Sequence, residues 1–388
     1  MTRISLIGIA LAVAALIITL AVRAGFRAEF VDTILGANAH VTVFNSAVPD
    51  AAGNLDRTIP DYVEMAGRIA QVPGVTHAAP LIKGQVMASA RGDTAGVQVF
   101  GIRGDDLANI PRIVNPETSQ GDLARFDEGI ALGSGVARDL NLTLGDRIKL
   151  ISPDGVKTAF GTSPRVKTYE IVYIFTAGRY DIDQTRVYMP FTEAQSYFNR
   201  ENAADEIEVM VDHPETVDAM ALPLLNAAGD RALIWTWRDA SGSFLRALDI
   251  EDNVMFVILS VLVLIASMNI VSGLIMLVKN KGRDIGILRT MGLTESSVLR
   301  VFFLCGASTG LIGTVLGLIL GCLFAIYIDP IFALVDRLSG GGVWDPSIRG
   351  IYALPAKLQM GDVLSAIALS LGLSFVITIF PARRAARM

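Results

Sequence analysis

The chain has 388 residues, 52% of them hydrophobic and 18% charged, with a net charge of −5 and a mean hydropathy of +0.49. That balance is too apolar for an ordinary soluble protein and gives no cationic footprint for nucleic acid. The two cysteines, Cys305 and Cys322, share one apolar run, so no disulfide framework is indicated.

The first predicted element is the uncharged run Ile4–Val22. It approaches the roughly 20 apolar residues a spanning helix needs. It also exceeds the length of a signal-peptide core, and Arg23 stands where a cleavage motif would fall, so it reads as an anchor.

A mixed segment follows, from about Gly25 to Asp252. His40–Phe44, Gln85–Ala90, Gly96–Ile102, Arg147–Ile151, Tyr169–Phe175, Thr185–Met189, Glu206–Val211 and Ala232–Trp237 read as strands from β-branched content and alternation. Asp61–Gln71 reads as a helix ending before Pro73-Gly74, Glu193–Phe198 as one capped by Thr192, and Thr216–Ala227 as a third with Pro223 as a kink. Ser152–Lys167, rich in Pro, Gly and Ser, reads as a long hairpin connection, functional or simply flexible.

No catalytic constellation emerges in this segment. His40, His77 and His213 are scattered without metal-ligand spacing, so no metal site is expected. Gly133-Ser134-Gly135 lacks the nucleophile-elbow pattern and reads as a turn opening a helix.

Three more uncharged runs complete the chain, Val254–Val278, Val301–Ile328 and Val363–Phe380. The second run contains Met255, Phe256, Met268 and Asn269, the candidate wall of a lipid cavity only on the transporter resemblance given below, for which methionine suits varied apolar shapes. For any single Met, an ordinary lipid-facing or helix-packing role is the favoured competing reading, and for Asn269 a hydrogen bond across helices. Gly306, Gly310, Gly313, Gly317 and Gly321 mark a close helix contact on the third run. Phe244, Leu245, Leu248 and Ile250 suggest an amphipathic collar ahead of the second run.

The connection between the second and third runs carries Lys279, Lys281, Arg283, Arg289 and Arg300, and the tail carries Arg383, Arg384 and Arg387. The positive-inside rule places both in the cytoplasm and the segment 25–252 outside, along with the Asp329–Asp362 loop. Within the basic connection a short helix is expected at about 283–291. Asp284 would start it, Ile285, Ile287, Leu288 and Met291 would be its apolar knobs, and Gly292 its left-handed cap. The pattern fits docking onto a cytosolic partner and equally a helix lying on the lipid surface. No phosphate-binding loop is present, so any ATPase must be a separate subunit.

The stretch "MNIVSGLIMLVKNKGRDIGILRTMGLTESSVLRVFFLCGASTGLIGTVLGLILG" resembles the permease subunits of lipoprotein-releasing ABC transporters, the LolC/LolE family. "AGFRAEFVDTILGANAHVTV", "LNLTLGDRIKLISPDG", "YDIDQTRVYMPFTEAQSYF" and "FPARRAARM" carry the similarity across nearly the whole chain. Macrolide-exporter and cell-division permeases share the layout.

The resemblance implies an α-helical inner-membrane protein of four transmembrane helices with a large α+β periplasmic domain inserted between the first two. The domains would be 1–24, 25–252 and 253–388. The chain would not be an enzyme and would hold no cofactor, ATP and Mg²⁺ being bound by a cytosolic ABC ATPase dimer. That ATPase would dock on a coupling helix comprising Arg283, Asp284, Ile287, Leu288, Arg289 and Met291. A second permease, identical or paralogous, would complete the membrane part. Acylated lipoproteins would pass from the outer leaflet of the membrane to a periplasmic chaperone. Ser152–Lys167 corresponds to a hairpin that recruits the chaperone in one permease type, with Pro153, Phe160, Pro164 and Arg165 as candidate contacts. Family members also have a cytoplasmic segment before the first span and a longer carboxyl end, so the pattern is that of a trimmed chain. A mechanotransmitting permease that drives a pump or cell-wall hydrolase, and a non-transporting adaptor, are the alternatives.

Overall fold

Thirty-six residues without a proline let the chain begin in one uninterrupted helix, α1 (Thr2–Ala37). The computed structural model describes residues 2–49, 53, 55–158, 161–292, 294–338 and 355–386. They fall into two units, a domain unit built on Phe30–Leu245 and a membrane unit built on Met1–Glu29, Arg246–Trp344 and Ala353–Met388. The boundaries at 24/25 and 252/253 read from the sequence therefore fall inside helices. Arg23 and Gly25 do not end α1, because a helix tolerates both.

The domain unit opens with β1 (Val41–Asn45), a small β2 (Val48–Pro49) and β3 (Leu55–Asp56) pair, α2 (Tyr62–Ala70), β4 (Val75–Ala90) and β5 (Asp93–Ile102). Next come α3 (Gly104–Leu107), α4 (Pro111–Val114), β6 (Thr118–Gly121), β7 (Ile130–Gly133) and α5 (Ser134–Asp139). Strands β8 (Arg147–Thr158) and β9 (Gly161–Thr176) form a long hairpin, followed by α6 (Tyr180–Thr185), β10 (Arg186–Pro190), α7 (Phe191–Tyr197) and β11 (Glu206–Val211). The unit closes with α8 (Ala221–Ala228), β12 (Ala232–Thr236) and α9 (Trp237–Ala240).

The main sheet runs β12-β1-β11-β4-β5-β10-β7-β9-β6, and β8 pairs with both β9 and β4. The length of β4 makes this possible. Its first half pairs with β11, and further along Met87–Ser89 meet β8. The ladder β4-β5-β10-β7-β9-β8 thus returns to β4, which removes open edges from that part of the sheet.

Apolar side chains cover both faces. Val187, Met189, Ile130 and Leu132 enter one core with Tyr197 and Phe198, while Tyr188, Ala131, Tyr173 and Phe175 enter the other with Phe100 and Phe126. That is why Ile130–Leu132 of β7 and Val187–Met189 of β10 are runs of apolar residues rather than alternating.

Several expectations are corrected. Helix α7 starts at Phe191 with Pro190 at its N-cap, since Pro is pre-organised for a helix start and Thr192 lies inside. The expected helix over 216–227 is a 3₁₀ turn, Pro214–Met220, broken at Thr216 and followed by α8, with Pro223 tolerated in its first turn. Most of Ser152–Lys167 is not a loop but the outer arms of β8 and β9. Gly133 caps α5, as the turn reading expects.

The last turns of α1 belong to the domain unit and are held there by side chains. Arg112 pairs with Asp32 at 2.6 Å, and Phe30 stacks on Phe244 at 3.5 Å. Arg186, buried on β10, donates to the Ala37 carbonyl at 2.6 Å and to Asn38 Oδ1 at 2.7 Å, with its guanidinium over the Phe100 ring at 4.5 Å. It satisfies a carbonyl that the end of the helix would otherwise leave bare. Arg186→Met keeps the bulk and removes the donors. It should destabilise the domain by about 2 kcal/mol, read as a lowered thermal unfolding midpoint of the full chain in detergent.

The membrane unit contains most of α1, α10 (Gly242–Thr290), α11 (Glu295–Ile326), α12 (Ile328–Leu338) and α13 (Met360–Ala386). The Asp329–Asp362 segment, expected as a loop, thus begins as a helix, whose apolar positions recur at helical spacing. Among the described residues three helices are long and apolar enough to cross a membrane, Leu6–Ala37, Glu295–Ile326 and Met360–Ile379. The run Val254–Val278 lies within α10, where many side chains are outside the described residues.

The glycine stripe of α11 packs as its spacing suggests. A Cβ on Gly313 would meet Ile9, one on Gly317 Ala10 and Val13, and one on Gly321 Ala14 and Ile17. Both series ascend together, so α1 and α11 run parallel. Gly310 faces Ser374, and Thr314 Oγ1 lies 2.8 Å from Ser370 Oγ, so α13 runs antiparallel to α11. The start of α1, the start of α11 and the end of α13 therefore share one side of the unit.

Candidate functional site

The segment expected to be a separate short helix at about 283–291 is instead the end of α10, which is continuous for 49 residues. From Gly242 to Thr290 there is no proline, and Gly273, Gly282 and Gly286 weaken a helix without breaking it. Asp284 is therefore an interior residue rather than a helix start. The first true stop is Gly292, at φ +99°, a conformation that favours glycine. Met291 N–H closes onto the Ile287 carbonyl at 3.1 Å, and the Thr290 hydroxyl donates to the same carbonyl at 2.7 Å. Thr294 then begins α11, its hydroxyl 2.9 Å from that of Ser297.

Arg283, Ile287 and Met291 are spaced four apart, so they share a face. All three are exposed, Ile287 at 53% and Met291 at 78%. The side chains of Asp284, Leu288 and Arg289 lie outside the described residues. What can be built from the rest is a blunt helix end with two apolar knobs and a guanidinium, followed by a sharp reversal. Such an end can insert into an apolar groove.

The β8–β9 hairpin is in register from Arg147↔Glu170 to Ser152↔Arg165 and from Val156↔Ser163 to Thr158↔Gly161, with a slip between. Pro153 and Pro164 sit at that slip, where the missing N–H groups cost no ladder bonds. They line a groove of about 920 Å³ with Ile151, Met87, Gly96 and Val97. Phe160 lies outside the described residues.

Arg165 is engaged within the chain. It donates to the Ser196 carbonyl and, at 2.7 Å, to Asn199 Oδ1. Lys167 pairs with Glu193 at 2.7 Å, and the Tyr169 hydroxyl donates to the same carboxylate. Burial, and then Glu193, push the Tyr169 phenol above its ordinary range, so it stays a donor. These bonds fasten the arms of the hairpin to α7.

Of the candidate cavity wall, Met255 is half-buried and Met268 exposed, while the side chains of Phe256 and Asn269 lie outside the described residues. Met255 and Met268 are more than three turns apart on α10 and on different faces, so the helix does not bring them together. Among the described residues no group of His, Cys, Asp or Glu could hold a metal ion.

The sequence reading missed Arg186 and a pair of carboxylates, Glu206 and Glu208. The latter were visible in "EIEVMV", where alternation puts both on one face of β11 while Ile207 and Val209 are buried.

Comparison with known proteins adds three observations. The family model of the MacB-like periplasmic core domain matches residues 2–222, and that of the FtsX-like permease C-terminal region matches residues 256–388. The lipoprotein-releasing system transmembrane protein LolC of Neisseria meningitidis serogroup B is 30% identical over 390 residues, covering 100% of this chain and 92% of that protein. LolE of Haemophilus influenzae is 28% identical over 392 residues, covering 100% and 92%, and LolC of Xylella fastidiosa (strain Temecula1) is 28% identical over 387 residues, covering 99% and 91%. With both halves matched by permease families and nearly the full length aligned, the chain belongs to the LolC/LolE family of lipoprotein-releasing transmembrane proteins, a multi-pass membrane protein with a MacB-like periplasmic domain.

Proposed function

We propose that this chain is the permease subunit of an ATP-driven transporter that extracts lipoproteins from the outer leaflet of the inner membrane and hands them to a periplasmic chaperone. The observation that carries the reading is the full-length similarity to LolC and LolE proteins. The run Val254–Val278 of α10 is the fourth span. The basic ends of α10 and α13 lie in the cytoplasm, which the shared side of the α1, α11 and α13 ends supports. Arg283, Asp284, Ile287, Leu288, Arg289 and Met291 form the surface that a cytosolic ABC ATPase dimer grips, with ATP and Mg²⁺ held by that partner. A second permease, the same or paralogous, faces this one. Met255, Phe256, Met268 and Asn269 contribute to the apolar path. The β8–β9 hairpin, through Pro153, Phe160 and Pro164, meets the chaperone, and Arg165 braces it.

The physics requires both energy input and an apolar receiver. Each buried methylene of an acyl chain holds roughly 0.8 kcal/mol, so several chains amount to tens of kcal/mol. Spontaneous release at that cost is negligible.

The decisive experiment reconstitutes the chain with its ATPase in proteoliposomes loaded with a purified lipoprotein. ATP-dependent appearance of lipoprotein on a soluble acceptor is expected. ATP hydrolysis without transfer would contradict extraction and favour a purely mechanical role.

A further inference from the structure

The β8–β9 hairpin has a joint partway along, and a side chain from outside the hairpin spans it. Between the pairs Ser152↔Arg165 and Val156↔Ser163, strand β8 has Pro153, Asp154 and Gly155 where β9 has Pro164 alone. Extra residues on one strand bend it and leave backbone groups without ladder partners. Neither proline can donate across the gap. Gly155 has no side chain where a Cβ would strike the Ser163 carbonyl, so the two backbones approach closely there. The arms from Val156 to Ser163 thus continue beyond a joint whose angle the ladder does not set.

The turn after α7 supplies what the ladder lacks. Asn199 sits at φ +55°, a left-handed conformation that asparagine tolerates better than most residues. From there its side chain meets both strands. Its Oδ1 accepts from Arg165 of β9 at 2.7 Å, and its Nδ2 donates to the Gly155 carbonyl of β8 at 3.3 Å. Arg165 also donates to the Ser196 carbonyl in the last turn of α7, where a cation is favoured. The Tyr197 hydroxyl donates to the Arg165 carbonyl at 3.4 Å. Nearer the sheet, Glu193 holds Lys167 and Tyr169, both on β9. Asn199 differs from Glu193 in tying β9 to β8, and it does so at the joint.

We propose that Asn199 is a positioning residue, which fixes the direction of the outer hairpin arms and so pre-organises them for the periplasmic chaperone. The first half rests on this geometry, and the second on the chaperone reading of the hairpin given above. An arm already held in one direction loses less freedom when a partner binds, so its affinity is higher. The oxygen and the nitrogen of the Asn199 amide are both engaged within the chain, so it acts through the arms.

Asn202 is a matched control. It has φ +54°, is exposed, and makes no side-chain hydrogen bond among the described residues. Glycine adopts both conformations without strain, so Asn199→Gly and Asn202→Gly each remove a side chain with little change to the backbone.

The test measures a spin-label distance on the full chain in detergent, from Ser163→Cys on the outer arm of β9 to Gln120→Cys on β6, with Cys305→Ser and Cys322→Ser removing the native thiols. Gln120 pairs with Ile174, so eleven steps of β9 separate the labels, on the order of 35 Å. Asn199→Gly should widen the distance distribution about twofold, and Asn202→Gly should leave it unchanged. Asn199→Gly should also weaken binding of a purified periplasmic lipoprotein chaperone about fivefold. An unchanged width in Asn199→Gly, or an equal widening in Asn202→Gly, would overturn the brace. A widened distribution with chaperone affinity intact would overturn its part in recruitment. If the parent chain bound no chaperone while Asn199→Gly still widened the distribution, the chaperone reading of the hairpin would fall and the brace would stand.

Discussion

Ile287→Glu is expected to strip the ATPase from the permease while leaving the chain folded and inserted. Ile287 is more than half exposed at the end of α10, so the substitution disturbs no internal packing. In the proposed complex its side chain is buried in a groove, and burying an isoleucine is worth about 1.5–3 kcal/mol. A glutamate there loses that term and adds the cost of burying a carboxylate without a partner, at least about 2 kcal/mol more. Together these weaken association by roughly two and a half to three and a half orders of magnitude. The measurement is co-purification of the ATPase with the tagged permease, alongside ATP-dependent lipoprotein transfer, and both should vanish. Leu222→Glu, at an exposed apolar residue of the domain unit, is the matched control and should change neither. The competing reading of this segment is a helix end resting on lipid head groups. On that reading Ile287→Glu leaves co-purification intact, and that result would remove the docking assignment.

The structure and the sequence agree where one physical signal dominates and diverge where two compete. Strand β11 was legible to the residue, because "EIEVMV" alternates and its inner members are buried. Strand β7 was missed because Ile130–Gly133 is buried on both faces and so lacks alternation. The glycine stripe was legible because four-residue spacing has one geometric meaning on a helix.

The end of α10 was misread for the opposite reason. Asp284 and the surrounding cations look like helix punctuation, but charge patterning is a weak preference and only Gly292, at positive φ, forces an end. The hairpin was read as a loop because Pro153, Gly155 and Pro164 are turn residues. In the fold they sit at a register slip and the strands resume beyond it. Arg186 left no trace, since its partners at Ala37 and Asn38 are distant in sequence and one is a backbone carbonyl. The exposure of Ile287 and Met291, in contrast, was legible, because apolar residues in a basic segment have few neighbours to pack against.

The second large effect concerns assembly of the membrane unit. Gly317→Leu should prevent α1 and α11 from packing. A Cβ at Gly317 would lie 2.6 Å from the Ala10 carbonyl oxygen and 2.6 Å from Val13 Cβ. The first is backbone and the second a branched carbon rooted on a helix, so neither can swing aside, and relief requires the helices to separate. Overpacking in a rigid core costs about 1–3 kcal/mol when side chains can yield, and a clash with backbone exceeds that range. Separation would also forfeit the close contacts at Gly313 and Gly321, because the stripe acts as one surface. The expected result is a polydisperse or protease-sensitive chain with a sharply lowered thermal midpoint in detergent. Gly372→Leu is the control: a Cβ there meets nothing within 4 Å, so a residue of equal size on α13 should be tolerated. If both variants were equally stable, the parallel contact of α1 with α11 would be wrong. With it would go the argument that the start of α1 and the start of α11 lie on one side of the membrane, and hence the placement of the coupling surface facing an ATPase.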